Sequence, residues 1–166
     1  MSNAFVRLYE QNVQDVYAYL VYRVGSHVEA ERLTQQTFER AARRWRSLPA
    51  DSAEERLWLF GIARRLAGVV ESAGEREDPG LAGDLANALA QLDPSARSVV
   101  ALRLGGQLTA PEIARVLGAS DDAVRRRLTR SLRRLRTELD GRREGSPPGR
   151  AELRREDGGD AEQTEA

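Results

Sequence analysis

The residues with the clearest capacity for chemistry are arginines, and they lie in one stretch, Leu108 to Leu139. Arg125, Arg126, Arg127, Arg130, Arg133, Arg134 and Arg136 crowd a segment in which no acid occurs from Ala123 to Thr137. A guanidinium forks onto guanine edges and pairs with phosphate oxygens, so such a row suits duplex DNA. The same segment carries Val124, Leu128, Leu132, Leu135 and Leu139 at steps of three and four. That spacing predicts a helix with one apolar stripe buried and its other faces basic.

The residues before this helix are the ones that must position it. Thr109 and Glu112 have capping-box spacing, Pro111 suits a first turn, and Ile113, Val116 and Leu117 share one apolar face. Gly118 ends that short helix, because glycine enters the left-handed region without strain. Ser120 then caps the arginine helix, and Asp121 and Asp122 suit its positive end. A short helix, a glycine turn and a basic helix make a helix-turn-helix, whose second helix lies in the major groove. The expected DNA contacts are Ser120, Ala123, Arg125, Arg126, Arg127, Arg130, Arg133 and Arg134. Arg126 and Arg127 fall in the first two turns, toward base edges, and Arg133 and Arg134 further along, toward phosphate. An ordinary solvated basic face is the competing reading; the caps and the turn glycine weigh against it.

The chain has 166 residues, enough for one domain or two small helical ones. It has no cysteine and one histidine, His27, which excludes a disulfide framework and a thiolate or histidine metal site. No cofactor and no catalytic residue is expected, since no Ser/His/Asp set, phosphate loop or metal-ligand spacing occurs. No signal peptide or transmembrane run is apparent, which predicts a cytoplasmic protein with no membrane partner. The formal net charge of zero hides an uneven distribution. Residues 93–140 hold 10 arginines against 6 acids, whereas residues 72–92 hold 1 against 4 and residues 141–166 hold 5 against 7. Local charge, rather than the sum, governs attraction to nucleic acid.

Periodicity divides the chain into two helical lobes, 4–71 and 84–139. In the first, Phe5, Leu8, Val13, Val16 and Leu20 define one helix, stopped by Gly25. Ser26 with Glu29 opens a second, with Ala30, Leu33, Thr37, Phe38, Ala41 and Trp45 on its apolar face. Ser52 with Glu55 opens a third, which Leu57, Trp58, Leu59, Phe60, Ile62, Ala63, Leu66, Val69 and Val70 make the most apolar of the chain. Trp45, Trp58 and Phe60 could stack on unpaired bases, but aromatics on an apolar face belong first to the core. Residues 72–83 shift to Gly, Glu, Asp and Pro and read as a linker. Leu81, Leu85, Leu89 and Leu92 open the second lobe, and Asp93-Pro94 is a strong helix start. Residues 140–166 lack aromatics and are expected to be disordered.

With these segments in order, the chain resembles the extracytoplasmic-function sigma factors of the sigma-70 family. The resemblance covers roughly residues 5–139. Glu29-Ala30-Glu31-x-Leu33-Thr34-Gln35-x-x-Phe38 looks like that family's polymerase-clamp segment, and Trp58-Leu59-x-x-Ile62-Ala63-Arg64 like the start of its minus-ten helix. Leu92-Asp93-Pro94, Glu112-Ile113-Ala114, Leu117-Gly118 and Val124-x-x-Arg127-Leu128-x-Arg130 match its minus-thirty-five module. The resemblance implies an all-α fold of two small helical domains, region 2-like over 4–71 and region 4-like, a helix-turn-helix of winged-helix-like type, over 84–139. It implies core RNA polymerase and promoter DNA as partners, with an anti-sigma factor as a further candidate. Glu29, Glu31, Arg32, Gln35, Gln36 and Glu39 would face polymerase, and Arg64 and Arg65 would join the DNA contacts at the minus-ten element. The chain departs from the family pattern at Arg32 and Gln36, where acids are usual. It departs again at Val69–Ala73, where the minus-ten helix usually turns basic, and at Ala123, where a hydroxyl residue is frequent. A stand-alone helix-turn-helix regulator, and a degenerate sigma-like protein acting through protein interaction, remain the alternative readings.

Overall fold

The computed structural model describes residues 3–44, 51–73 and 83–145. It contains α1 (Asn3–Val24), α2 (His27–Arg43), α3 (Ser52–Ala73), α4 (Asp84–Ala90), α5 (Pro94–Leu104), α6 (Ala110–Leu117) and α7 (Asp121–Gly145). Among the described residues there is no strand, so the helix-turn-helix carries no β-wing.

Helices α1 to α3 pack on one another as the first lobe. Phe5, Leu8, Val16 and Leu20 of α1, Ala30, Leu33, Phe38 and Ala41 of α2, and Leu59, Phe60, Ile62, Ala63 and Leu66 of α3 are buried, as their spacing requires. Phe60 is fully buried and meets Tyr19 edge-on, ring centroids 5.6 Å apart, so it serves the core and not a base stack. Trp58 is half-buried against the same core, and Trp45 lies outside the described residues. The start of α3 differs from expectation. Asp51 supplies the cap, its Oδ1 accepting from Ala53 N at 2.7 Å, and Ser52 is the first helical residue. Glu55, expected to complete a box with Ser52, is buried and turned toward Arg7, 3.6 Å away.

Helices α4 to α7 form the second lobe. Asp93 caps α5 through Ala96 N at 2.9 Å, with Pro94 in the first turn. Helix α5 is its centre: Ala96, Val99, Val100, Ala101 and Leu102 are all buried. The stripe on α7 packs against α4, α5 and α6, with Val124, Leu128 and Leu135 buried and Leu132 and Leu139 half-buried. Helix α7 continues to Gly145, past the expected end at 139; residues 74–82 of the expected linker and the tail beyond 145 lie outside the described residues.

One buried cation ties the short α4 to this lobe. Arg97 is 6% exposed and donates from Nε to Leu89 O at 3.0 Å, and from Nη2 to Ala90 O at 3.1 Å and Leu92 O at 3.0 Å. Ala90 O and Leu92 O stand at and just past the end of α4, and the guanidinium satisfies them while adding a second donor to Leu89 O, which also accepts from Leu92 N at 3.1 Å. Arg97→Ala should therefore destabilise the chain by about 1–3 kcal/mol, because the carbonyl of buried Leu92 loses its Arg97 donor. Urea unfolding followed by helical circular dichroism measures this, and a loss below about 1 kcal/mol would contradict the assigned role.

Candidate nucleic-acid interface

Local hydrogen bonds fix the helix-turn-helix before any tertiary contact is considered. At the start of α6, Thr109 Oγ1 accepts from Glu112 N at 3.4 Å, and Glu112 Oε2 accepts from Thr109 N at 2.7 Å and from Thr109 Oγ1 at 2.8 Å. The capping box is thus closed in both directions. The backbone amide of Thr109 holds the Glu112 carboxyl below the usual carboxylate range, helped by the nearby Arg56 and Arg115. Gly118 sits at φ +64°, and Ala119 N returns to Ala114 O at 2.9 Å, which closes the turn. Ser120 Oγ accepts from Ala123 N at 3.3 Å and opens α7.

Helix α7 then presents its charge. At about 100° per residue, Arg126, Arg130 and Arg133 form one row opposite the apolar stripe. Arg125 and Arg136 lie on one flank of that row, Arg127 and Arg134 on the other. All seven side chains are exposed, and Arg136 reaches Asp140 at 3.7 Å. Ser120 is occupied as the cap and Ala123 is half-buried, so these two shape the helix start while the arginines form the outward surface.

The other candidate residues lie on the first lobe. Arg64 and Arg65 are exposed on α3, and Arg65 Nε donates to Gly61 O at 3.2 Å. On α2, Glu31, Arg32, Gln35 and Glu39 are exposed while Glu29 and Gln36 are half-buried. Arg32 forks onto Glu29, with Nε 3.0 Å from Oε2 and Nη2 on Oε1, and Gln35 Nε2 donates to Glu39 Oε1 at 2.8 Å. The positive charge of Arg32 is therefore matched along its own helix. His27 is exposed in the first turn of α2, where its Nδ1 lies 2.8 Å from Tyr17 Oη.

A further polar group, between the lobes, has no local sequence signature. Arg56 of α3 reaches Asn12 Oδ1 at 3.0 Å, Asp15 Oδ2 at 2.9 Å and Gly106 O at 2.6 Å, and its guanidinium lies 5.3 Å from the Phe60 ring centroid. Nearby, Arg115 of α6 pairs with Glu54 of α3. Among the described residues, no group of three or more His, Cys, Asp or Glu is placed to hold a metal ion, and no helix is long and apolar enough to cross a membrane.

Thr109→Ala should cost about 0.5–2 kcal/mol, the usual loss for an N-cap. The Glu112 half of the box has a pH signature. Its folded carboxyl titrates below the unfolded one, so its contribution is complete above the ordinary carboxylate range and is lost as pH falls through the folded value. Thermal unfolding of the parent and Glu112→Gln, from neutral pH down through the carboxylate range, should show the two curves converging on acidification. A constant gap would contradict the closed box.

Comparison with known proteins places this geometry. The family profile for Sigma-70 region 2 matches residues 8–67, and that for Sigma-70, region 4 matches residues 88–137. The ECF RNA polymerase sigma factor BldN of Streptomyces coelicolor is 32% identical over 157 residues, covering 81% of this chain; the chain spans 60% of that relative's length. Among solved structures, the sigma factor RpoE of Bartonella quintana, in complex with the anti-sigma factor NepR, superposes with a TM-score of 0.67 at 22% identity, over 84% of this chain and 98% of that one. CnrH, in complex with the cytosolic domain of CnrY, superposes with a TM-score of 0.63 at 26% identity, over 83% of this chain and 88% of that one. With a region 2 lobe followed by a region 4 lobe, the chain belongs to the extracytoplasmic-function sigma factors of the sigma-70 family.

Proposed function

We propose that this chain is a sigma factor that binds core RNA polymerase and directs it to promoters. One observation carries the reading above the others: an outward arginine row on α7, fixed by a closed capping box and a left-handed glycine, in a chain that also holds a region 2 lobe. Helix α7 reads the minus-thirty-five duplex, with Arg126 and Arg130 in the groove and Arg133 and Arg134, further along, against phosphate. Arg64 and Arg65 on α3 contact the minus-ten DNA. The exposed face of α2, with Glu31, Gln35 and Glu39, meets the polymerase clamp. The role is regulatory and not enzymatic, and its place is the cytoplasm. The complexes named for RpoE and CnrH support an anti-sigma factor as a further partner.

Transcription from genomic fragments, with core polymerase and this chain as the sole sigma subunit, tests the reading. Transcripts starting at defined sites support it. Duplex binding without polymerase-dependent transcription would favour a stand-alone regulator instead.

Two variants divide the work on α7. Arg126→Ala should cost about 1–3 kcal/mol of binding and relax sequence preference, as expected for a base contact. Arg134→Ala should weaken all sequences alike and lower the salt slope by about one, as expected for a phosphate contact. Fluorescence anisotropy over a salt series checks both, and parent-like binding by both would place the groove contact elsewhere.

The α2 face yields a third expectation. Arg32 neutralises Glu29 where the family usually places an acid, and Gln36 adds no charge. Arg32→Asp combined with Gln36→Glu turns the face acidic and frees Glu29. Affinity for core polymerase should then rise several-fold, most at low salt, where surface charge is least screened. Unchanged or lower affinity would mean that this face is not the clamp contact.

A further inference from the structure

Helix α7 both carries the basic surface and hands the chain on to an acidic segment. Its seven arginines from Arg125 to Arg136 are exposed, and among the described residues only Arg136 of this row forms an ion pair, with Asp140 at 3.7 Å. The acids of α7 stand outside the row: Asp121 and Asp122 in the first turn, and Glu138, Asp140 and Glu144 after the arginines. Several cations elsewhere are matched by a neighbour: Arg32 by Glu29, Arg56 by Asp15 and Arg115 by Glu54. The row on α7 is a band of guanidinium charge that the fold leaves open to an anion.

The sequence after α7 changes sign. Residues 141–155 hold five arginines and two acids. Residues 156–166 hold five acids, Glu156, Asp157, Asp160, Glu162 and Glu165, with no base and no large apolar residue. Length lets this segment reach the row. Glu156 is 11 residues beyond Gly145, the last residue of α7, and a stretch of that length spans up to about 36–40 Å. Arg126 is 19 residues back from Gly145, about 28 Å along the helix axis. The arginines from Arg126 onward are therefore within the tether, and the acids meet them at an effective concentration on the order of millimolar. A carboxylate takes a guanidinium with the same charge-assisted, forked hydrogen bonds that a phosphate uses.

We propose that residues 156–166 are an intramolecular stand-in for the phosphate backbone, lying on the α7 arginine row and displaced when duplex binds. Displacement by duplex rests on the function proposed above; the contact between the segment and the row does not. With no large apolar side chain to bury, the segment is held by charge, so the contact is weak and sensitive to salt. Duplex binding then exchanges one polyanion for another and releases fewer counterions. The segment thereby lowers affinity for duplex and makes its salt dependence shallower.

Five substitutions made together in the full-length chain, Glu156→Gln, Asp157→Asn, Asp160→Asn, Glu162→Gln and Glu165→Gln, remove the charge and keep the length. Anisotropy is read on a labelled mixed-sequence duplex of about 20 base pairs, from about 50 mM salt upward. At the lowest salt this variant should bind about three- to tenfold more tightly than the parent, with a salt slope steeper by about one to three. The two affinities should meet by about 0.3 M salt, where the segment is screened off the row. The contact itself is read without DNA. The chain has no cysteine, so Ala161→Cys accepts a single spin label. In nuclear magnetic resonance spectra of the isotope-enriched chain, the label should broaden the amides of residues 125–136 more than those of α2 or of Arg64 and Arg65 on α3. Neutralising the five acids should remove that broadening. Broadening centred on another surface, or none on α7, overturns the contact even in a chain that supports transcription. The same broadening between labelled and enriched chains mixed as separate molecules overturns its intramolecular form. Broadening on α7 with duplex affinity and slope unchanged by neutralisation overturns the competition. A chain that ignores duplex in parent and variant, while the label still marks α7, removes the competition together with the proposed function.

Discussion

The close approach of Gly105 and Gly106 to α1 and α3 is the constraint on which the arrangement of the lobes depends. Two helical lobes can come this near only where one surface has no side chain, and a Cβ at either position would strike backbone or the Phe60 ring. The rings beneath are part of the same contact. Tyr19 and Phe60, both fully buried, stack edge-to-face behind the turn, and Arg56 covers Phe60 from the outer side. Apolar burial supplies the general attraction; the polar atoms of Arg56, Asp15, Asn12 and Gln107 set the register.

Charge is sorted around that contact. The interlobe pairs consume Arg56 and Arg115, and a pair along α2 consumes Arg32. The arginines of α7 keep their outward positions, with Asp140 near Arg136. A chain with a formal net charge of zero thus keeps one strongly basic surface, because its acids are placed elsewhere. The capping box and the glycine turn hold that surface rigidly, which a groove-reading helix requires.

Much of this was legible in the sequence because it is local. The stripe on α7, the Thr109–Glu112 box, the Gly118 turn and the Asp93-Pro94 start are encoded within a few residues, and each appears where its spacing places it. The start of α3 was misread for an equally local reason: Asp51 and Ser52 are both good caps, and Glu55 was drawn to the distant Arg7. The end of α7 lies beyond the expected 139, because residues 140–145 hold no large apolar residue to continue the stripe yet extend a helix already formed. Arg97 and Arg56 sit in no motif along the chain. Their roles arise from carbonyls and carboxylates brought in by the fold, in the case of Arg56 from residues 44 and 50 positions away, and no pattern along the chain announces such partners.

The contact at Gly105-Gly106 makes the free chain one closed body, and under the function proposed above polymerase binds it with that contact opened. Amide hydrogen exchange, read by mass spectrometry on the full-length chain with and without core polymerase, tests this most directly. The segments to follow are the Gly105–Leu108 turn and the facing stretch of α1 from Asn12 to Leu20. The account predicts slow exchange in both when the chain is free, and faster exchange in both when polymerase is bound, while the core of α5 stays protected. Equal protection of the two segments in the free and bound chain would contradict it.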